Sequence, residues 1–451
     1  MESIACSNSH TGDYNLSSVP EPLNLTSVND DVKILIFEYL EWPDLLRVAE
    51  TSKTLHAAAC DVYKRKYGKG TLFLLRERGS PNGEQDICLW NPVWTLKFLR
   101  NFGHVTSHIV LRLVHRIGAY GYEYNKTTAA LVFHIESYVE KYCSKSIRRL
   151  GLDSPPKFLF KEIQTSFINL ENIAFYYYYP LCEVSFSNFP NLKSIELHLS
   201  WRESNLICIP NVKIFHIEAR KNIQSLGLNY EENEIKELLK LNPQIEDLKL
   251  RIENTQSIHG LFKYSDIIFQ GLNENLPMLR RLNLDMNIDE NFRSYHFDNV
   301  IDFQFNSYPK LINIPFTFSK LERFTCSLHL KDTIESCVFD FIAANECLKS
   351  ITLDGVMDGI DNLFQLNTVL TSVEEMSIKI CRCNSVSITS DLILNLFSQS
   401  QSLKRLTLTA YPRNFENLDD SVKSKIVQQE KDTYRKHQVM GGGWLKLTFR
   451  P

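Results

Sequence analysis

The chain has 451 residues, of which 43% are hydrophobic, and its 50 lysines and arginines nearly balance 53 aspartates and glutamates, for a formal net charge of −3. This hydrophobic content excludes a disordered chain, and the near-neutral charge argues against a nucleic-acid-binding protein, which needs a basic face. No apolar run approaches the roughly 18 residues of a membrane span, and the first residues lack the basic start and apolar core of a signal peptide. We therefore expect a protein of the cytoplasm or nucleus, without nucleic-acid or membrane partners.

The first predicted element, after a disordered tail over residues 1–22, is a small helical unit at residues 23–68. Asn29 is a candidate N-cap, and the acidic residues after it suit the first turn of a helix. A second helix is expected after a turn at Trp42-Pro43-Asp44, and a third over residues 55–62. About 40 residues cannot shield this much apolar surface, which indicates either a permanent partner or a cap on the next domain. The first helix carries an apolar stripe at helical spacing, formed by Val32, Leu35, Ile36, Tyr39 and Leu40.

Residues 28–53 read V-N-D-D-x-x-x-L-I-F-E-Y-L-x-x-x-D-L-L-R-V-A-x-T-S-K. This segment resembles an F-box, in the variant often met in insects. The resemblance implies three helices that dock onto a Skp-family adaptor, which in turn binds a cullin scaffold in a ubiquitin ligase. By position within the motif, the residues that would face the adaptor are Val28, Asn29, Ile36, Leu40, Leu45 and Val48.

Residues 69–104 are predicted as a linker and the start of a repeat array, which spans residues 105–415. A loose L-x-x-L-x-L string recurs about every 23 residues, within the range of leucine-rich repeats. Four of the strings have a proline two residues before their first apolar position, where it ends one element and admits a strand. The first apolar positions are Ile147, Leu170, Leu192, Val212, Ile223, Ile245, Leu279, Val300, Leu321, Leu348, Val373 and Leu403.

Helical patterns lie between several of these strings, at residues 233–242, 265–275 and 390–400. Helix and strand in alternation predict an α/β fold. We expect a leucine-rich-repeat solenoid of about 11–13 degenerate repeats, with a curved parallel sheet on its concave side and helices on its convex side. The alternative is a doubly wound α/β sheet, which also alternates strands and helices. The spacing leaves open whether Ile223 begins a repeat of its own. It also leaves open whether one repeat begins at Val300 or in the register of Leu311–Ile314.

The C-terminal segment, residues 416–451, is predicted to form a charged helix over residues 416–437 and a closing strand over residues 444–449. The three glycines between them, residues 441–443, lack the Lys-Ser/Thr that follows in a phosphate-binding loop.

The sequence contains no catalytic or cofactor-binding motif that we recognise, and we expect a non-catalytic protein without cofactor or metal. His134-Ile-Glu136 matches part of a deaminase signature but lacks the P-C-x-x-C segment, and we expect a helix with Glu136 solvated. The 11 cysteines include no C-x-x-C pair, so we interpret them as small buried hydrophobic residues rather than zinc ligands.

Function is then expected on the concave face, where residues that alternate with the buried leucines point away from the core. Their mixed charges suit a protein substrate better than a polyanion. The run AFYYYYP at residues 174–180 would place two tyrosines on this face, although its tyrosines could equally pack between repeats. The predicted substrate-binding residues are Tyr176, Tyr178, Glu196, His198, Lys249, Arg251, Arg281, Asp285, Arg323, Asp354, Lys379 and Arg405.

Together these expectations describe a substrate-recognition subunit of a Skp–cullin–F-box ubiquitin ligase. In this interpretation the helical unit binds the adaptor, and the concave face binds a protein that is to be ubiquitinated. The alternative is a scaffold or interaction protein that uses its repeats without assembling a ligase.

Overall fold

The computed structural model describes residues 25–74, 85–89, 91–111, 126–152, 167–176, 186, 189–199, 209, 212–221, 230–254, 266–285, 293–307, 314–328, 336–356, 372–380, 388–400, 402–432 and 444–451. Within these ranges the protein is an α/β protein built on one large and mostly parallel sheet.

Three helices precede the sheet: α1 (Asp30–Phe37), α2 (Trp42–Ala49) and α3 (Lys53–Tyr67). The Asn29 side chain accepts a hydrogen bond from the Asp31 amide at 3.0 Å, which confirms the predicted N-cap. The Ser52 hydroxyl caps α3 in the same way by accepting from Leu55. The predicted turn at Trp42-Pro43-Asp44 is wrong, because α2 already begins at Trp42; proline fits the first turn of a helix, where no N–H partner is lost.

The large sheet has 16 strands among the described residues, and from β3 to β16 they follow the order of the chain. Every pair in that stretch is parallel, whereas a doubly wound sheet would reverse its order at a switch point. The structure therefore favours a solenoid-like stack over the doubly wound alternative. The strands are β1 (Leu72–Leu74), β2 (Ile87–Leu89), β3 (His108–Leu111), β4 (Arg149–Leu152), β5 (Asn172–Phe175), β6 (Ser194–Leu199), β7 (Ile214–Lys221), β8 (Asp247–Asn254), β9 (Arg281–Asp285), β11 (Asp302–Ser307), β13 (Arg323–Leu328), β14 (Ser350–Val356), β15 (Glu375–Ile380), β16 (Arg405–Ala410), β17 (Ile426–Asp432) and β18 (Trp444–Phe449).

Strands β4 to β16 of this sheet begin two residues after the predicted apolar positions, except at Ile223. Ile223 lies outside the described residues, but β7 pairs directly with β8, so no strand from that segment enters the sheet between them. The competing register is also resolved, because Val300 precedes β11 in the large sheet. Ile314 instead precedes β12 (Phe316–Phe318), which pairs with β10 (Tyr295–Phe297) in a separate sheet.

Helices pack against the apolar side of the sheet, and they include the predicted helices at residues 233–242, 265–275 and 390–400. Their apolar residues, such as Leu238 and Phe269, share one core with the buried strand leucines. Glu136 lies in α5 but is buried, so its predicted solvation is wrong. The helices are α4 (Pro92–Phe102), α5 (Lys126–Cys143), α6 (Tyr230–Leu241), α7 (Asp266–Asn275), α8 (Ser336–Ala343) and α9 (Ser390–Gln399).

Asparagine side chains connect successive turns of the stack. Three residues before their strands, Asn169, Asn191 and Asn299 donate to main-chain carbonyls 22–24 residues earlier in the chain, at 2.7, 2.7 and 3.0 Å. Because each bond satisfies a carbonyl of the preceding turn, the asparagines fix the spacing between neighbouring strands.

The two ends of the sheet compare differently with the sequence prediction. At the start, β1 pairs with β3, so the sheet begins within residues 69–104, the segment predicted as a linker and the start of the repeat array. At the other end, the charged segment forms only a short helix, α10 (Asp420–Lys423), before β17; the predicted helix over residues 416–437 is wrong. The predicted closing strand is β18, which lies antiparallel between β16 and β17. Charged residues suit β17 because it is an edge strand exposed to water.

Candidate functional site

The outer face of α1 exposes several large apolar side chains. Leu35 on the helix is 60% exposed, and Tyr39, in the turn that directly follows the helix, is 89% exposed. Val32 and Ile36 are 43% and 41% exposed and lie on the same face as Leu35. Together Val32, Leu35, Ile36 and Tyr39 form what we call the apolar stripe, whereas Leu40, the fifth residue of the predicted stripe, is half-buried. Because monomeric proteins rarely expose several large apolar side chains side by side, we treat this surface as a candidate interaction site.

The opposite face of α1 is anchored to the rest of the protein. Phe37 is 1% exposed and lies in the core, whereas Lys33 is 2% exposed and donates to Asp30 at 2.9 Å. Lys66 of α3 donates to the carbonyls of Glu38 and Leu40 at 3.1 and 2.8 Å, at the C-terminal end of α1, where a cation is favoured. These contacts fix the rotation of α1, and they leave the apolar stripe pointing away from α3.

The predicted adaptor-facing residues divide into two groups. Asn29 and Ile36 are exposed, and Val28, Leu40 and Val48 are half-buried, so each offers some surface. Leu45 is fully buried in the core of the helical unit, and its placement on a partner-facing surface is wrong in this structure. It occupies the inner face of α2 together with Leu46 and Ala49.

An aromatic cluster joins the helical unit to the first helix of the sheet. Tyr63 of α3 stacks on Phe102 of α4 at 4.7 Å, and Phe98 lies edge-on to Tyr63 at 5.5 Å and to Trp42 at 5.9 Å. Both phenylalanines are fully buried. Burial raises the pKa of Tyr63, whose hydroxyl lies 3.3 Å from the Thr106 hydroxyl. This packing fixes the position of the apolar stripe relative to the sheet.

The predicted alternation along the strands is confirmed. In β9 and β15 the first and third residues are exposed or half-buried, while the leucines, isoleucine and methionine between them are buried. We call the surface formed by the first, third and fifth strand residues the polar face. Among the predicted residues, it includes Glu196, Lys249, Arg251, Arg281, Asp285, Arg323, Asp354, Lys379 and Arg405, and Tyr176 directly follows β5 on the same side. Tyr178 and the side chain of His198 lie outside the described part of the structure.

Most of the predicted charged residues on the polar face pair with one another across neighbouring strands. Burial raises the pKa of Asp247, and the positive charge of Arg281 partly offsets this rise. Lys249 is the exception, because it forms no ion pair with a described residue. Mutual pairing of this kind neutralises the face rather than leaving its charges for a ligand. The pairs are Arg251–Asp285 at 3.4 Å, Arg281–Asp247 at 3.1 Å, Arg323–Asp302 at 3.0 Å, Lys379–Asp354 at 3.2 Å and Arg405–Glu375 at 3.1 Å.

A second series of ion pairs joins residues that directly precede the strands. The hydrogen bond from Lys213 lowers the pKa of Glu246, and the one from Lys404 lowers the pKa of Glu374. These pairs tie β5 to β6, β7 to β8, β13 to β14 and β15 to β16 at the N-terminal ends of the strands. They are Lys193–Glu171 at 3.2 Å, Lys213–Glu246 at 2.6 Å, Lys349–Glu322 at 2.7 Å and Lys404–Glu374 at 2.8 Å.

Tyr176 lines an open cavity of about 450 Å³ at the N-terminal end of the polar face. The small third residues of β4 and β5, Gly151 and Ala174, leave the space of the cavity open. The Tyr176 ring lies across Gly151, since a Cβ at residue 151 would be 2.8 Å from Tyr176 Cε2. Burial, followed by the charge of Arg149, lowers the pKa of His108 in the cavity wall. Other residues that line the cavity are Lys69, Thr71, Arg149, Asn172, Ser194 and Glu196.

Sequence analysis missed two rows of the polar face. His216 on β7 lies 3.6 Å from Glu196, and Asp302 and Gln304 lie on β11 beside β9. The repeat pattern could have predicted them, because Val212 and Val300 are predicted first apolar positions of repeats. His216 lies four residues after Val212, and Asp302 and Gln304 lie two and four residues after Val300. Lys69 and His108 of the cavity could not be found this way, since they precede the repeats that the pattern detects.

No group of three or more histidine, cysteine or acidic residues in the described ranges could hold a metal ion, and no described helix meets the length and apolarity of a membrane span. In comparisons with known proteins, no family model matches the chain and no curated protein matches it.

Proposed function

We propose that this chain is the substrate-recognition subunit of a Skp–cullin–F-box ubiquitin ligase, with an F-box in α1–α3 and a leucine-rich-repeat array in the sheet. The observation that carries the proposal is the apolar stripe on α1. It coincides with the segment whose sequence resembles an F-box, and the part of the chain that the structure describes leaves it exposed. Exposing large apolar side chains to water is unfavourable by about 25 cal/mol for each Å². A stable partner surface removes that cost.

The alternative interpretation of the helical unit is that it only covers the first repeat. The aromatic cluster does cover it, but through α2, α3 and α4 rather than through the apolar stripe. The unit therefore has two sides, one packed on the sheet and one available to an adaptor. Val28, Asn29, Leu40 and Val48 would contribute to the adaptor interface around Ile36.

The proposed mechanism is proximity rather than side-chain chemistry. The adaptor and cullin would hold a ubiquitin-charged enzyme near the polar face, where a substrate lysine experiences a high effective concentration of the activated ubiquitin. A rigid connection between the two binding surfaces is useful for this purpose because it limits the volume that the substrate explores. The aromatic cluster supplies such a connection.

The test is adaptor capture by purified full-length protein. Leu35→Asp should reduce the captured Skp-family adaptor at least tenfold, since a charge would enter the centre of the apolar interface. Binding is measured by co-purification and by titration with the purified adaptor. Leu35 is 60% exposed, so the variant should fold normally.

Val427→Asp is the matched control, because Val427 is also an exposed apolar residue, at 52%, but lies on β17 at the far end of the sheet. It should bind the adaptor like the unchanged protein. Failure of the unchanged protein to bind any Skp-family adaptor would contradict the proposal and favour the scaffold interpretation. Equal binding by Leu35→Asp would contradict the role of the apolar stripe.

A further inference from the structure

The cationic side chains around the Tyr176 cavity differ from those elsewhere on the polar face, where Lys249 alone of the predicted cations has no acidic partner among the described residues. Arg251, Arg281, Arg323, Lys379 and Arg405 each pair with an acidic residue of a neighbouring strand. Lys69 and Arg149 line the same cavity, and neither forms an ion pair with any described residue. His108 lies between them and adds a polar ring, and its lowered pKa keeps it neutral near pH 7. The cavity therefore has a positively charged end.

The dimensions of the cavity fit an extended peptide. Its lining runs from Thr71, next to β1, across β3, β4 and β5 to Glu196 on β6. Four strand spacings of about 4.8 Å give a length of about 19 Å, which is the span of about six residues of extended chain. The cavity is open to solvent along this length, so a peptide backbone can lie across the strands with Tyr176 against one side.

The charges within the cavity also determine which end of it an anionic group of a ligand would occupy. Glu196 is the acidic residue of the lining, and it lies two strands from Arg149, or about 10 Å across the sheet. An anion is thus favoured near Lys69 and Arg149 and opposed near Glu196. Thr71 follows Lys69 by two residues, and Asn172 is the register partner of Arg149 on β5, so both offer hydrogen-bonding side chains at the cationic end.

We propose that this cavity is the substrate-binding site and that it binds an extended peptide segment through an acidic side chain held by Lys69 and Arg149. The inference rests on the proposed function for the identity of the ligand as a segment of a protein substrate. It reduces the predicted substrate-binding surface from the whole polar face to its N-terminal end. Lys69, Thr71, His108, Gly151 and Asn172 join Tyr176 and Arg149 in the site.

The experiment compares two soluble hexapeptide libraries, one with a fixed glutamate at the third position and one with glutamine there. Immobilised full-length protein, without adaptor, should retain the glutamate library about fivefold more than the glutamine library, the discrimination expected of one exposed charge-assisted contact. Arg149→Met should reduce that ratio to about one. Lys69→Met should also reduce it, and this exposed residue lies outside any strand, so the second variant guards against a folding defect in the first.

Arg148→Met is the matched control, since Arg148 is the neighbouring arginine but pairs with Glu171 and does not line the cavity. It should keep the glutamate preference. Equal retention of the two libraries by the unchanged protein, or a preference that survives both Arg149→Met and Lys69→Met, would overturn the inference. Because no adaptor is present, a chain that fails adaptor capture but prefers glutamate would refute the ligase proposal and leave the binding site intact.

Discussion

At the scale of single residues, the site depends on positions where a small side chain leaves room for a large one. Gly151 occurs in the string R-L-G-L, which predicts a strand but not what lies above it. In the structure, a Cβ at this position would be 2.8 Å from the Tyr176 ring and 3.0 Å from Val110 Cγ2. The sequence could not show this contact, because Tyr176 directly follows the neighbouring strand β5 and its position over Gly151 depends on the register between β4 and β5.

Gly151→Ala should therefore destabilise the protein by about 1 kcal/mol or more, the usual cost of inserting a methyl group into a packed contact. Urea unfolding followed by circular dichroism measures the loss. In a Tyr176→Ala background the same substitution should cost less, since the closest contact is gone. An equal cost in both backgrounds would show that the ring does not lie across Gly151.

At the scale of secondary-structure elements, α4 connects the helical unit to the sheet. Residues 96–105 resemble the segment that begins the repeat array in F-box proteins with leucine-rich repeats, which implies an initial helix, and the structure has a helix there. The sequence did not reveal that Phe98 and Phe102 would pack against both Trp42 and Tyr63, because such contacts depend on the angle at which α3 crosses α4. The misassigned helix at residues 416–437 has a similar origin, since charge content alone does not distinguish a surface helix from an edge strand.

Phe98→Ala should cost about 3–5 kcal/mol of the free energy of unfolding, since it removes a fully buried ring and leaves a cavity between α2, α3 and α4. Chemical denaturation measures this cost. Val93→Ala on the same helix should change stability by less than about 0.5 kcal/mol, because Val93 is 59% exposed. A small effect of Phe98→Ala would mean that the helical unit is not held to the sheet through this cluster.

At the scale of the whole molecule, the repeat spacing in the sequence was sufficient to predict a parallel sheet with strands in chain order. It could not predict which charged residues pair across strands, so most of the predicted substrate-binding charges belong instead to internal ion pairs, such as Arg323–Asp302. Periodicity also could not predict how the array ends. β18 reverses direction and covers β16, which leaves the charged β17 as the exposed edge.

A variant that lacks residues 424–451 should self-associate, because the unpaired N–H and C=O groups of β16 become available to another chain. Light scattering after size-exclusion chromatography measures the mass, and circular dichroism checks that the remaining structure is intact. A folded variant that stays monomeric at concentrations where the full-length chain is monomeric would contradict the assignment of β17 and β18 as an edge cover.

Hydrogen–deuterium exchange of the full-length chain, alone and with a purified Skp-family adaptor, tests the step on which the ligase proposal depends, the binding of the adaptor to α1. Exchange at the backbone amides of residues 30–40 should slow by an order of magnitude or more in the complex, whereas the amides of β9 to β15 should be unchanged. If the adaptor leaves residues 30–40 as exchangeable as in the free chain, the exposed side chains of the first helix serve some other purpose and the assignment is wrong.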